Sequence, residues 1–227
     1  MTMAPPKINE QALISHHGGT YGYDALVGKE SWKKLHPAIQ KRFSEKVHQS
    51  VTYKGVMSEV YLSFAGKIFA QVCRIIGTPL ALYEGKDVPM EVNVYPNDKL
   101  KGMTWERNYQ YENRPSNKVI STKCVQVDGK LVEVVGFGFG MALKVYEKDR
   151  TLFFESENFF WELGNLKLRI PDWLTPGKTI VSQKAIDDEL FEFKLEVRHS
   201  VLGRVFYQVG VFKAMATDKL HGRGELL

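Results

Sequence analysis

From Val88 onward the hydrophobic period is two rather than 3.6, and this switch restricts the fold more than any other feature of the chain. Val88, Met90, Val92 and Val94 alternate with Pro89, Glu91, Asn93 and Tyr95. Comparable runs occupy 102–111, 118–127, 130–139, 141–147, 151–161, 165–170, 178–186, 189–199 and 203–213. Asp128-Gly129, Lys148-Asp149-Arg150, Asp187-Asp188 and Leu202-Gly203 punctuate them as tight turns. About ten short strands joined this closely predict a mainly β (α+β) fold, an antiparallel meander forming a barrel or a strongly bent sheet.

The segment before Val88 reads as helical. Trp32, Leu35, Ile39, Phe43 and Val47 recur at spacings of three and four, while Lys33, Lys34, Lys41, Arg42 and Lys46 fall mostly elsewhere. Pro37 restarts this region, because proline suits a first turn and not a helix interior. A second helix is expected from a Ser58 cap through Tyr61, Leu62, Ala65, Ile68, Phe69, Val72, Ile75 and Ile76, stopped by Gly77 and Pro79. The expected layout is a tail at 1–20, one β-rich domain over 21–215 with 21–78 helical and 86–213 in strands, and a frayed end at 216–227. Two or three N-terminal helices would pack on the β core.

Alternation also assigns faces. Phe191, Phe193, Leu195 and Val197 point one way, and His199 follows on the same side. Trp105, Arg107, Tyr109 and Tyr111 share a face, so an aromatic interior brings Arg107 inside with it. A buried guanidinium needs a partner, since leaving it unpaired costs several kcal/mol. Glu133, in a run with Leu131, Val135, Phe137 and Phe139, is one candidate; Glu155 and Glu157 are the others. Arg107 is then either half of a structural ion pair or an anchor for an anionic or carbonyl-bearing ligand.

Several chemistries find no support. Gly136-Phe137-Gly138-Phe139-Gly140 has no third glycine at the required spacing and no following helix, so it is not a phosphate loop; it reads instead as a bend or a place of close approach. His16-His17 has no third ligand nearby, and no motif calls for a metal or cofactor. Cys73 and Cys124 are far apart, as expected for two reduced thiols in a cytoplasmic protein. No signal peptide opens the chain, and polar residues interrupt its longest apolar stretch, 56–76. Residues 1–54 carry eight Lys/Arg against four Asp/Glu, most of the net charge of +5. That excess leaves peripheral membrane or partner contact open, but the basic and aromatic residues are not interleaved as nucleic-acid binding requires.

Several segments together resemble a known family. They are Leu35-His36-Pro37 with Gln40-Lys41-Arg42-Phe43, Gly77-Thr78-Pro79-Leu80, Trp105-Glu106-Arg107-Asn108-Tyr109, Val132-Glu133-Val134-Val135-Gly136, Ile170-Pro171-Asp172-Trp173-Leu174-Thr175-Pro176, and Gly203-Arg204-Val205-Phe206-Tyr207-Gln208-Val209-Gly210. The chain is similar over roughly 25–213 to the bacterial domain of unknown function numbered 4166. That family occurs alone or C-terminal to saccharopine-dehydrogenase-like oxidoreductases. The resemblance implies that the Trp105 strand and the Pro171–Pro176 loop are family hallmarks, and it brings no catalytic assignments.

Three function classes stay open on the residues alone. The first is a lipocalin-like module holding an apolar or amphipathic small molecule among Trp105, Tyr109, Tyr111, Phe137, Phe139, Phe191, Phe193 and Tyr207, oriented by Arg107 with Glu133 or Glu157. The second is an isomerase or cyclase using Arg107 with a carboxylate or His199. The third is an interaction protein using the basic N-terminal helix.

Overall fold

The computed structural model describes residues 22–44, 50–75, 80–164 and 166–215. The expectations for the tail, for His16-His17, for the Gly77–Pro79 helix stop and for the C-terminal end lie outside these residues. Three short helices, α1 (Tyr23–Val27), α2 (Lys29–Lys34) and α3 (Pro37–Phe43), precede β1 (Val51–Leu62) and α4 (Phe64–Ile75). Ten strands follow: β2 (Gly85–Asn97), β3 (Gly102–Tyr109), β4 (Asn117–Val125), β5 (Leu131–Gly136), β6 (Phe139–Lys148), β7 (Thr151–Leu163), β8 (Leu166–Ile170), β9 (Lys178–Ala185), β10 (Leu190–His199) and β11 (Gly203–Ala214).

The strands pair antiparallel in the order β6-β5-β4-β3-β2-β1-β11-β10-β9-β7-β8, and β6 also pairs with β7. That last pairing closes a ten-stranded barrel and leaves β8 as an extra strand along one half of β7. Closure removes the exposed edges that an open sheet of this size would carry.

One strand lies where the sequence pattern predicts helix. β1 runs through Ser58, and α4 starts only at Phe64, with the Ser63 hydroxyl accepting from Gly66 N in the capping role expected of Ser58. The cause is a bulge: Met57 pairs with Gly210 and Glu59 with Val209, so Ser58 is left over. Tyr53, Met57 and Val60 are therefore buried at spacings of four and three, which imitates a helical stripe. Pro37 does open α3, and His36 Nδ1 accepts from Ala38 N at its start.

The two ends of the barrel are plugged differently. Leu35, Ile39 and Phe43 enter the core where β1 and β10 begin, with the Phe43 ring 5.1 Å from Tyr23 and 5.7 Å from Phe154. At the opposite end α4 buries Ala70 and packs Ala65 and Phe69 on the same core. Its approach is set by Gly66, where an added Cβ would stand 1.9 Å from the Val205 carbonyl oxygen. Gly66→Ala is expected to destabilise the fold by about 1–3 kcal/mol in urea titration, because a backbone carbonyl cannot yield as a side chain can. Helix propensity alone predicts the reverse, a gain of about 1 kcal/mol, so the sign of the change decides.

Candidate functional site

β3, β4 and β5 present Trp105 and Arg107, Ser121 and Lys123, and Glu133 to the interior. Lys123 and Glu133 are directly paired neighbours in the ladder, as are Trp105 and Ser121. Lys123 Nζ lies 2.9 Å from Glu133 Oε1, and Arg107 Nη2 lies 3.7 Å from the same oxygen. The Ser121 hydroxyl donates to Glu133 Oε1 and accepts from Arg107 Nη1 at 3.0 Å. All three charged side chains are nearly out of water, at 11% exposure for Arg107 and 7% for Lys123 and Glu133.

Burial alone raises a carboxyl group, but Lys123, Arg107 and the Ser121 hydrogen bond outweigh it and hold Glu133 below its usual value. Burial is the main influence on Lys123 and lowers it, with Glu133 opposing. A carboxylate held ionised by two cations is a weaker proton acceptor than a free one.

A third cation enters from α3. Arg42 places its guanidinium carbon 3.4 Å from the Phe191 ring centroid and 3.9 Å from that of Tyr53, a sandwich that suits a planar, weakly hydrated cation. Its Nη1 is buried without a hydrogen-bond partner among the described residues, and burial pushes the group down to about 10, still a cation at neutral pH. Arg42, Arg107 and Lys123 all line one cavity of about 30 Å³, room for two or three waters. Aromatic walls come from Trp105, Phe154, Phe191, Phe193 and Phe212. The side-chain oxygen of Gln183, also in the lining, is a second buried atom without a partner among the described residues.

Of the residues selected from the sequence, Trp105, Arg107, Phe191 and Phe193 line the cavity and Glu133 is bonded to its cations. Tyr109 is buried outside the lining, its hydroxyl donating to Gln208 Oε1 at 2.8 Å. Tyr111 stacks on Tyr109 and donates to the Tyr83 carbonyl.

The others lie elsewhere. Phe137 is exposed in the β5–β6 turn, where it and Gly138 both adopt positive φ, so the glycine-rich stretch is a hairpin turn and not part of one strand. Phe139 stacks on Trp161 instead of on the cavity wall. Glu157 is exposed: alternation from the buried Leu152, Phe154 and Ser156 turns it outward, and a bulge leaves it unpaired in the β6–β7 ladder. Glu155 is bonded to Lys178 and Tyr146. Tyr207 is on the opposite strand face from the buried Phe206, Gln208 and Phe212, with Lys194 and Arg204 over its ring. His199 sits at the α4 end, where its Nδ1 accepts from Val201 N and Leu202 N, and it does not meet Arg107.

The sequence reading missed Arg42, Lys123 and Gln183. Arg42 sat among Lys41 and Lys46 as one more charge on a helical face. Lys123 had a readable signal, since Val119, Ser121, Lys123 and Val125 alternate inward on β4. It was hidden because Thr122 and Cys124 on the other face are buried too.

These observations define a closed antiparallel barrel, plugged at both ends, with a buried charge cluster beside a small aromatic-walled cavity. The chain belongs to the family described as Domain of unknown function (DUF4166), whose model matches residues 35–212, from the start of the α3 plug to the last aromatic of the cavity wall. No curated protein and no solved structure matches it significantly. Among the described residues no group of three or more His, Cys, Asp or Glu side chains gathers as a metal site would. No described helix is long and apolar enough to cross a membrane.

Proposed function

We propose that the barrel is a binding module for a small anionic molecule, with a short carboxylate as the fitting head group. The observation that carries this is Arg42 Nη1, a buried donor without a hydrogen-bond partner among the described residues, in a cavity lined by Arg42, Arg107 and Lys123, of which Glu133 answers the last two. Water could accept from Nη1, but it would leave two excess positive charges in a low-dielectric interior. A carboxylate accepts from Nη1 and removes one of the two excess charges. A hydroxyl on the ligand would donate to the Gln183 oxygen, so a hydroxy acid fits better than a plain one. The aromatic walls take only the first carbons, because the space is a few waters in size. This narrows the apolar or amphipathic ligand expected from the sequence to its charged end.

The test is calorimetric titration of the purified protein with acetate, glycolate, hexanoate and neutral acetamide. Saturable binding is expected for acetate, tighter for glycolate, with none for acetamide and less for hexanoate. Equal responses to acetamide and acetate, or to every salt alike, would remove the anion reading. Hexanoate binding best would return the site to an apolar ligand with α3 displaced.

A further inference from the structure

Large apolar side chains are exposed together at the α4 end of the barrel. Phe64, Ile68 and Val72 follow one another at spacings of four on α4 and are 81%, 53% and 55% exposed. Spacings of four place them on one helical face, turned away from the face that buries Ala70 and Cys73. Beside them, the β10–β11 turn exposes Val201 and Leu202, and the loop before β9 exposes Trp173 and Leu174. His199 joins the three elements. Its ring lies 6.3 Å from that of Phe69 on α4, its Nδ1 holds the turn, and its backbone touches the loop at Gly177.

We infer that this end docks on the surface of an anionic lipid bilayer. Turn tips are costly in an apolar medium unless their backbone donors are satisfied within the protein. Here Val201 N and Leu202 N both donate to His199, Leu174 N donates to the Pro171 carbonyl, and Thr175 N and its hydroxyl donate to the Asp172 carbonyl. The rim supplies the charge. Lys67 and Arg74 flank the α4 stripe, and Arg198 and Arg204 share the single carboxylate of Glu196. Glu84 answers Lys67, and Asp172 in the loop is answered by Arg169, so cations remain in excess around the patch. An apolar tip with an excess of cations beside it, and with Trp and Phe among its exposed residues, is suited to the boundary between headgroups and acyl chains.

Co-sedimentation of the full chain with vesicles tests this. Binding is expected to vesicles of phosphatidylcholine with phosphatidylserine and to be much weaker with phosphatidylcholine alone. Trp173→Ser and the pair Val201→Ser with Leu202→Ser should each lower partitioning about tenfold, as the loss of one or two partly inserted side chains predicts. Their thermal midpoints should match the unaltered protein, since all three side chains are exposed. No sedimentation with phosphatidylserine vesicles at low salt overturns the proposal. Sedimentation that both variants retain overturns it too, and assigns binding to another basic face such as Lys33, Lys34 and Lys41. A concentration-dependent dimer that the variants abolish makes the patch a contact between two copies instead.

Discussion

Glu133→Gln is expected to lower the unfolding free energy by about 3–5 kcal/mol, the cost of removing one partner from a buried ion cluster. Among the described residues the carboxylate is the only negative charge bonded to Lys123 and Arg107, and it also accepts the Ser121 hydroxyl. An amide keeps the shape of the side chain and leaves two cations facing each other across Ser121. Urea denaturation at neutral pH measures the loss, and a midpoint equal to that of the unaltered protein would show that the cluster contributes nothing. Adding Lys123→Met to Glu133→Gln should recover part of it, because one of the two orphaned charges disappears. The pH dependence carries a matching signature. The folded carboxyl titrates below its ordinary value of 4.5, so its contribution is fully present above 4.5 and is lost as pH falls through the lower, folded value. Stability of the glutamine variant should lack that part of the acid decline.

The same cluster marks where the sequence was readable. Ten of the strands and the inward face of Trp105, Arg107 and Tyr109 follow from strict alternation, because each residue step turns a side chain to the other face. The pairing of Arg107 with Glu133 was legible as one of three options, since a guanidinium among aromatics demands a carboxylate. Reading failed where alternation is interrupted. The bulge at Ser58 gave β1 a helical rhythm, and the bulge at Glu157 shifts the face of β7 that turns inward partway along the strand. Phe137 looked like a strand residue because a hairpin turn with two positive-φ residues more often shows Asn-Gly than Phe-Gly. Arg42 was illegible for a different reason. Its role depends on where a short helix meets a barrel end made from β1 and β10, and no local pattern carries that long-range contact.

Arg42→Met separates a ligand-binding role from a packing role. Methionine is unbranched and polarisable, so it can fill the slot between Tyr53 and Phe191 and keep a favourable sulfur–aromatic contact. The cation–π attraction is lost, but so is the desolvation of a guanidinium with one unpartnered nitrogen, and these terms oppose each other. Unfolding free energy is therefore expected to change by no more than about 1 kcal/mol, within the range of volume-conserving core exchanges. Carboxylate affinity should fall about ten- to a hundredfold, since a hydrogen bond to a charged group is worth about 1.5–3 kcal/mol. Arg42→Lys supplies the control: it keeps the charge without the planar donor fork, so some affinity should remain while the stack weakens. Calorimetry and denaturation on the same samples read both quantities. A variant that binds acetate as before would place the anion outside this cavity, and one that unfolds without losing affinity in its folded fraction would make Arg42 a strut of the plug.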